Sequence, residues 1–145
     1  MKEINSTQEL KRVMQPMMMK MVDSMADRVY ETLNYFLQDY YTGWTPSSYK
    51  RTQDFLRSAV KVKAKSYGDS VRAYVFIDYK SLKSHGEITG LQMVKWADEG
   101  LHGGVAVEHE PHVWSDTVDN TINNGTLLKL AINYLKSKGF SVTLQ

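Results

Sequence analysis

The sequence contains no cysteine and only three prolines among its 145 residues. Without cysteine, the chain can form neither a disulfide framework nor a thiolate metal site. No apolar run approaches the roughly 20 residues that a membrane-spanning helix needs, so no membrane partner is expected. The first residues also lack the apolar segment of a signal peptide. These absences fit a protein that folds in a reducing cytoplasm.

Signatures of catalysis and of cofactor binding are missing as well. The sequence has no GxSxG motif, no Walker loop and no GxGxxG motif. His109 and His112 are close in sequence, but Pro111 prevents a helical pair of metal ligands, and a zinc site usually needs three protein ligands. Four carboxylates have no spacing that forces an acid–base pair: Asp98, Glu99, Asp116 and Asp119. We therefore expect no enzyme, no cofactor and no metal, and a hydrolase centred on the two histidines is the weakest alternative.

Composition is that of an ordinary globular protein. Hydrophobic residues make up 42% and charged residues 23% of the chain, and the formal net charge is +2. Such a small net charge does not demand a nucleic-acid or membrane partner. The length suits one domain, residues 1–145, with residues 1–15 as an N-terminal arm or short helix and residues 16–145 as an α+β core.

A long helix is predicted at the start of the chain. Ser6 and Glu9 have the spacing of a capping box, which opens a helix. Pro16 lacks a backbone N–H, so we expect a kink or a fresh start there. Beyond it, apolar residues follow helical steps of three and four: Met17, Met21, Met25, Val29, Leu33, Phe36 and Tyr40.

Methionine is concentrated in the first part of this helix. Six of the eight methionines lie there: Met14, Met17, Met18, Met19, Met21 and Met25. Most of them fit a loosely specified core stripe, because methionine fills irregular gaps. However, Met17, Met18 and Met19 are consecutive and cannot all face one core. Some must point outward, which suggests a partner surface at this end of the helix.

The stretch Tyr40–Ser58 joins the helix to a predicted hairpin. Gly43 and Pro46 break the helix there. Four aromatic residues gather at this junction: Tyr40, Tyr41, Trp44 and Tyr49. They either plug the corner between helix and sheet, which we favour, or form a contact surface for a neighbouring subunit.

The residues that follow alternate between apolar and basic, which predicts a hairpin. A turn at Gly68-Asp69 would pair Tyr67 with Ser70. The same register would place Val62 opposite Val75, with one face apolar throughout and packed on the long helix.

The lysines of the first predicted strand form a strip on its other face, comprising Lys61, Lys63 and Lys65. Arg72, Tyr74 and Phe76 would flank it. We favour a solvated strand face, and the alternative is a basic strip that faces nucleic acid.

The C-terminal part is predicted to end with a helix and a strand. The sequence pattern predicts an extended segment at residues 105–114. Residues 127–138 have clean helical spacing, and Gly139 suits the position just after a helix. Phe140, Val142 and Leu144 alternate with polar residues and predict a last strand. The expected fold class is therefore α+β, with a long N-terminal helix packed on a small antiparallel sheet, a C-terminal helix and a final strand.

Three short motifs occur in a recognisable order. Pro46–Ser58 is similar to a Pro…Thr-Gly-x-Leu-x-x-Ser segment, Trp96–Gly100 to a Tyr-Ala…Glu-x-Gly segment, and Pro111–Trp114 to an aromatic segment with a Pro-Phe core. Together with the long helix and the hairpin, they resemble the HK97 gp10-like family of tailed-phage tail-completion or neck proteins. Gln53 departs from the pattern, because the family has glycine there, and the backbone at Gln53 therefore need not adopt a glycine-only conformation.

The resemblance implies a non-catalytic virion protein that forms a ring of its own copies at the head–tail junction. Its partners would be neighbouring connector and tail proteins, and it would be assembled in the cytoplasm of a bacterial host. We expect subunit contacts at Met17, Met18, Met19, Met21, Tyr40, Tyr41, Trp44 and Tyr49. Residues that would face packaged DNA without reading its sequence are Lys61, Lys63, Lys65 and Arg72. The main alternative is a small nucleic-acid-binding module that uses the lysine strip.

Overall fold

The computed structural model describes residues 3–43, 53–83, 87–102, 105–106 and 111–145, with the backbone alone at 105–106. A long helix, a β-hairpin and three shorter helices make up a mixed helical and sheet fold, as the sequence predicts. The helices are α1 (Thr7–Thr42), α2 (Gly90–Asp98), α3 (Val113–Val118) and α4 (Thr126–Ser137). The strands are β1 (Ala59–Tyr67), β2 (Ser70–Ile77), β3 (Leu101–His102) and β4 (Val105–Ala106). In these ranges no helix is both long enough and apolar enough to cross a bilayer.

Helix α1 begins at the predicted cap. The Ser6 hydroxyl accepts a hydrogen bond from the Glu9 amide at 3.1 Å, which satisfies one of the amides that a helix start leaves unpaired. The helix then runs for 36 residues, about 54 Å at 1.5 Å per residue. Its buried residues are Met21, Ala26, Leu33, Leu37 and Tyr40. Three of these belong to the predicted apolar stripe, and the other two lie beside it on the same side of the helix.

The predicted fresh start at Pro16 is wrong, because α1 continues through this residue. A proline inside a helix costs about 3 kcal/mol or more, mainly through a lost backbone hydrogen bond and a clash. Two tertiary contacts lie on the N-terminal side of Pro16. Lys11 forms an ion pair with Asp69 at the hairpin tip, and the Gln15 amide donates a hydrogen bond to the Ser66 hydroxyl. The first turns of α1 are therefore held helical against the hairpin.

The hairpin turn is confirmed, whereas most of the predicted register is not. Tyr67 pairs with Ser70 across the Gly68-Asp69 turn, and Gly68 has φ +61°. Further from the turn, however, Val62 lies opposite Tyr74 instead of Val75, because a β-bulge shifts the register by one residue between Val62 and Lys65.

The main core lies where the second half of α1 meets the base of the hairpin and the start of α3. Its buried members are Leu33, Leu37, Tyr40, Phe55, Ala59, Leu82, Ala97 and Val113. They come from α1, the 3₁₀ turn Phe55–Arg57, β1, the segment after β2, α2 and α3. The hairpin and the first half of α1 extend away from this core and pack along each other.

The C-terminal helix is confirmed and the final strand is not formed. Gly139 has φ +87°, and the Phe140 amide donates to the Leu135 carbonyl at 3.1 Å, which closes the end of α4. Residues 140–145 carry no strand assignment. Alternation alone does not make a strand, because strand residues need a neighbouring edge with which to exchange backbone hydrogen bonds. Phe140 and Leu144 stay exposed.

The extended segment predicted at residues 105–114 is also incorrect at its end, because Val113 and Trp114 begin α3. Pro111 is buried just before this helix. The helix start is fixed by a side chain from α2, which the sequence pattern does not reveal and which is described below.

Gln53 adopts a backbone conformation that favours glycine. Its φ is +61°, the one positive value at a non-glycine residue in the described ranges. The expectation that this backbone need not adopt such a conformation is therefore wrong. A side chain with a β-carbon costs roughly 1–2 kcal/mol in the left-handed region.

We expect the substitution Gln53→Gly to raise the free energy of unfolding by about 0.5–1 kcal/mol, because the relief of this strain exceeds the entropy that glycine adds to the unfolded chain. Chemical denaturation measures the change. Gln53→Ala is the matched control and should give no gain, since alanine keeps the β-carbon. A destabilising glycine would contradict the conformation described here.

Candidate interaction surfaces

The β-bulge decides which hairpin residues face α1. At the bulge, Lys63 and Ala64 lie opposite the single residue Ala73. The residues of β1 that face α1 therefore change from odd-numbered to even-numbered positions at the bulge. Before the bulge Ala59 and Lys61 face α1, and after it Ala64 and Ser66 do. Carboxylates of α1 hold this arrangement, and Asp23 accepts a hydrogen bond from the Ala64 amide at 3.0 Å.

Lys61 therefore lies between the hairpin and α1 instead of on a solvated strip. Its ammonium group forms an ion pair with Asp27 and lies 3.7 Å from a carboxylate oxygen of Asp23. Only 17% of its side chain is exposed. The structure separates this residue from Lys63 and Lys65, which are both exposed.

The titration of Lys61 follows from these contacts. The hydrogen bond to Asp27 raises the pKa of Lys61 above 10.5, burial lowers it, and attraction to Asp23 raises it further. A pKa that rises on folding gives a contribution to stability that is complete below the unfolded value of 10.5. That contribution is lost as pH increases through the folded pKa. At neutral pH the ion pair is intact and fastens the hairpin to α1.

Asp23 and Asp27 were not singled out from the sequence. A usable signal was present, because the two carboxylates are four residues apart and so lie on one face of α1, beside the apolar stripe. An acidic pair at that position needs a cation from the element that packs there, and β1 is the lysine-rich element.

The outer face of the hairpin, which points away from α1, is aromatic and basic. We define it by Val60, Val62, Lys65, Arg72, Tyr74 and Phe76. Tyr74 lies opposite Val62, Phe76 opposite Val60, and Lys65 opposite Arg72. The two aromatic side chains are 46% and 42% exposed. The Arg72 guanidinium lies 5.5 Å from the centre of the Tyr67 ring, and its Nε donates to the Ser70 hydroxyl at 3.1 Å.

The methionine cluster is divided between the core and the surface. Met21 is buried, whereas Met17, Met18 and Met19 are each half-buried. Other apolar side chains near this end of the chain are exposed: Ile4, Leu10 and Val13. The start of α1 therefore presents apolar side chains at the surface, and Met21 contributes little to it.

The aromatic junction is a core feature at Tyr40. This side chain is buried, its hydroxyl donates to the Leu101 carbonyl at 2.7 Å, and its ring stacks on His102 with centroids 4.0 Å apart. It also meets Phe55 edge-on at 5.8 Å. Tyr41 is half-buried beside it. The other two junction candidates, Trp44 and Tyr49, lie outside the described residues.

The histidines bring together no set of metal ligands among the residues that the structure describes, where no group of three His, Asp or Glu side chains could hold a metal ion. His85 and His109 lie outside those residues. His102 is buried against Tyr40. His112 lies with its Nδ1 2.7 Å from the Asp98 carbonyl, and its backbone amide donates to the Asp116 carboxylate at 2.8 Å.

Asp98 caps α3 from the end of α2. Its Oδ1 accepts from the Trp114 amide at 3.1 Å and from the Ser115 amide at 2.8 Å. Its Oδ2 accepts from the Ser115 hydroxyl at 3.2 Å. A carboxylate at a helix start satisfies unpaired amides and interacts favourably with the helix dipole. Asp98 therefore fixes the start of α3.

We expect Asp98→Ala to lower the free energy of unfolding by about 1–2 kcal/mol, since two amides lose their acceptor. Asp98→Asn should cost less, because the amide oxygen still accepts while the charge is lost. Denaturant titrations measure both. The neighbouring exposed carboxylate gives the control Glu99→Ala, which should change little, and equal losses for the two alanine variants would contradict the cap.

An apolar groove of about 270 Å³ lies between α1, β2 and the segment from α3 to α4. Its lining residues are Val22, Met25, Ala26, Val29, Ala73, Val75, Trp114, Thr117, Val118, Thr121, Ile122 and Leu127. None of these side chains titrates, so the groove offers no group for acid–base chemistry.

Comparison with known proteins gives one match. The family model described as YomN matches residues 6–137. YomN is a phage-derived, SPbeta-like family name, so the match supports a phage protein and does not support the HK97 gp10-like family specifically. No curated protein and no solved structure matches the chain.

Proposed function

The chain belongs to the YomN family, and from this premise we propose that it is a virion structural protein that completes or joins the tail at the head–tail junction. The family makes it a phage-associated protein. In the proposed role it forms a ring from its own copies, contacts neighbouring connector and tail proteins, and catalyses no reaction. It would be assembled in the cytoplasm of the bacterial host and retained in the virion.

One structural observation supports the ring: two separate sets of exposed apolar side chains. The first lies at the start of the chain and of α1, with Leu10 and Val13 exposed next to the half-buried methionines. The second lies in the segment from the π-helical turn to α4, where Ile122 and Leu128 are 54% and 51% exposed. A ring needs heterologous contacts, in which one surface meets a different surface on the next subunit. Two different apolar surfaces on one chain meet that requirement.

The order of sequence motifs supports the position in the virion. The long helix, the hairpin and the segments Pro46–Ser58 and Trp96–Gly100 follow the order found in tail-completion and neck proteins. The left-handed backbone at Gln53 adds to the similarity, because those proteins have glycine at that position.

Light scattering at low and high salt tests the ring. The wild-type chain should form a discrete oligomer, and the double variant Leu10→Asp/Val13→Asp should remain a monomer. Leu91→Asp is the matched control on α2, since Leu91 is similarly exposed but lies outside both apolar surfaces. A wild-type chain that stays monomeric at high micromolar concentration would contradict self-assembly.

A stop codon in the gene tests the place in the virion. Phage without this protein should accumulate filled heads and separate tails, visible by electron microscopy, and purified wild-type particles should contain the chain at a ring-like copy number. Complete, infectious particles from the stop-codon phage would overturn the head–tail assignment.

A further inference from the structure

The outer face of the hairpin contains two cations in direct cross-strand opposition. Lys65 and Arg72 are register partners, and like charges at opposite positions of an antiparallel pair destabilise it. Neither forms an ion pair within the described ranges, where the ion pairs belong to Lys11 and Lys61. Lys63 is a third exposed cation without such a partner, in the adjacent bulge. An external anion would relieve this repulsion.

Two other cations of this region are neutralised within the chain. Lys11 pairs with Asp69, and this contact lowers the pKa of Asp69. Lys61 pairs with Asp23 and Asp27. The bulge thus divides the predicted lysine strip into an inward lysine that fastens the hairpin and outward cations that are available to a ligand.

Aromatic rings lie next to these cations. Tyr74 and Phe76 are on the same side of β2, two residues apart, which separates them by about 6.8 Å at roughly 3.4 Å per residue. Both are more than 40% exposed, and each has a valine as its cross-strand partner. An extended nucleic-acid strand can place successive bases on such rings, because every base has a π-face that stacks on an aromatic side chain.

We infer that the outer face of the hairpin binds single-stranded nucleic acid. Lys65 and Arg72 of this face and Lys63 of the adjacent bulge contact phosphates, and Tyr74 and Phe76 stack on bases. Charge complementarity to a polyanion favours this ligand over a protein surface. A duplex fits less well, because its bases are already stacked on one another and are inaccessible to the rings. The inference goes beyond the proposed structural role and does not require a ring.

Fluorescence anisotropy with a labelled oligothymidine of about 20 nucleotides tests the inference. Wild-type protein should bind this single strand more tightly than it binds a duplex of equal length. With three phosphate contacts, the logarithm of the binding constant should fall with the logarithm of salt concentration with a slope of about −2. The matching oligouridine shows whether RNA is bound as well as DNA.

Two sets of variants separate charge from stacking. Lys63→Ala/Lys65→Ala/Arg72→Ala should weaken binding at least 10-fold at low salt and flatten the salt dependence. The control Lys129→Ala/Lys136→Ala/Lys138→Ala removes the same charge from α4 and the residue that follows it, and should bind like the wild type. Tyr74→Leu/Phe76→Leu keeps the apolar bulk but removes the rings, and should weaken binding about 10- to 100-fold. Circular dichroism confirms that each variant is folded.

Several outcomes would overturn the inference. Equal binding by the two triple variants would show that the hairpin cations are not involved. Equal affinity for duplex and single strand would exclude stacking. If wild-type protein bound neither strand while the leucine variant lost self-association in light scattering, the face would be a protein interface instead. The oligomeric state and strand binding are measured separately, so failure of one proposal is distinguishable from failure of the other.

Discussion

Replacing Leu37 by alanine is expected to lower the free energy of unfolding by about 3–4 kcal/mol. The Leu37 side chain is fully buried in the main core, where the second half of α1 meets the base of the hairpin. Truncation removes the transfer free energy of the buried methyl groups and leaves a cavity that a helix with many other contacts cannot close. Denaturant unfolding followed by circular dichroism measures the loss.

Leu91→Ala is the matched control for this experiment. Leu91 lies in α2, is 45% exposed and is outside both apolar surfaces, and alanine has a higher helix propensity than leucine. Its unfolding free energy should stay within about 0.5 kcal/mol of wild type. Similar losses at Leu37 and Leu91 would show that the core does not lie where α1 meets the hairpin base.

Features set by local interactions could be predicted from the sequence. The α1 cap at Ser6, the turn at Gly68-Asp69 and the end of α4 at Gly139 are each confirmed. In each case a few neighbouring residues decide the conformation, through a capping hydroxyl or a glycine at positive φ. The apolar period of α1 likewise identified three of its five buried residues.

Which residues of β1 face α1 could not be predicted in this way, because the answer depends on partners that are distant in sequence. The alternation from Val60 to Lys65 is unbroken in the sequence and gives no sign of a bulge. The Asp23 carboxylate accepts a hydrogen bond from the Ala64 amide. Asp23 and Asp27 also form ion pairs with the Lys61 ammonium group. Small side chains, such as that of Ala64, then face α1, and the valines face outward. The candidate surface is therefore a face of aromatic rings and two opposed cations, instead of the predicted strip of three lysines.

The predicted final strand does not form, for a related physical reason. The pattern Phe140, Val142, Leu144 shows that a strand would have one apolar face, but a strand also needs a free sheet edge beside it. The hairpin packs along the first part of α1, whereas Phe140 is tied to the end of α4 through Leu135. An alternating apolar and polar pattern therefore shows only that a segment could form a strand if a free sheet edge lay beside it.

Replacing Gly90 by alanine is expected to lower the free energy of unfolding by about 3 kcal/mol. A β-carbon at this position would lie 2.2 Å from the Tyr79 carbonyl oxygen and 2.9 Å from the Leu82 β-carbon. Backbone atoms cannot rotate out of the way, so α2 must move away from the 3₁₀ turn Tyr79–Ser81. Overpacking of this kind typically costs 1–3 kcal/mol and occasionally more. Ala97 of α2 is part of the main core, so the displacement reaches the core as well.

Gly125→Ala provides a control that separates lack of space from backbone strain. Gly125 has φ +77° and nothing within 4 Å of an added β-carbon, so its alanine variant pays only the left-handed penalty of roughly 1 kcal/mol. Denaturant unfolding of both variants should therefore rank Gly90→Ala as the more destabilising. The reverse ranking would mean that α2 approaches the hairpin base less closely than described. The predicted ranking would show that Gly90 lets α2 pack closely against the hairpin base, because the 3₁₀ turn that Gly90 touches begins two residues after β2 ends.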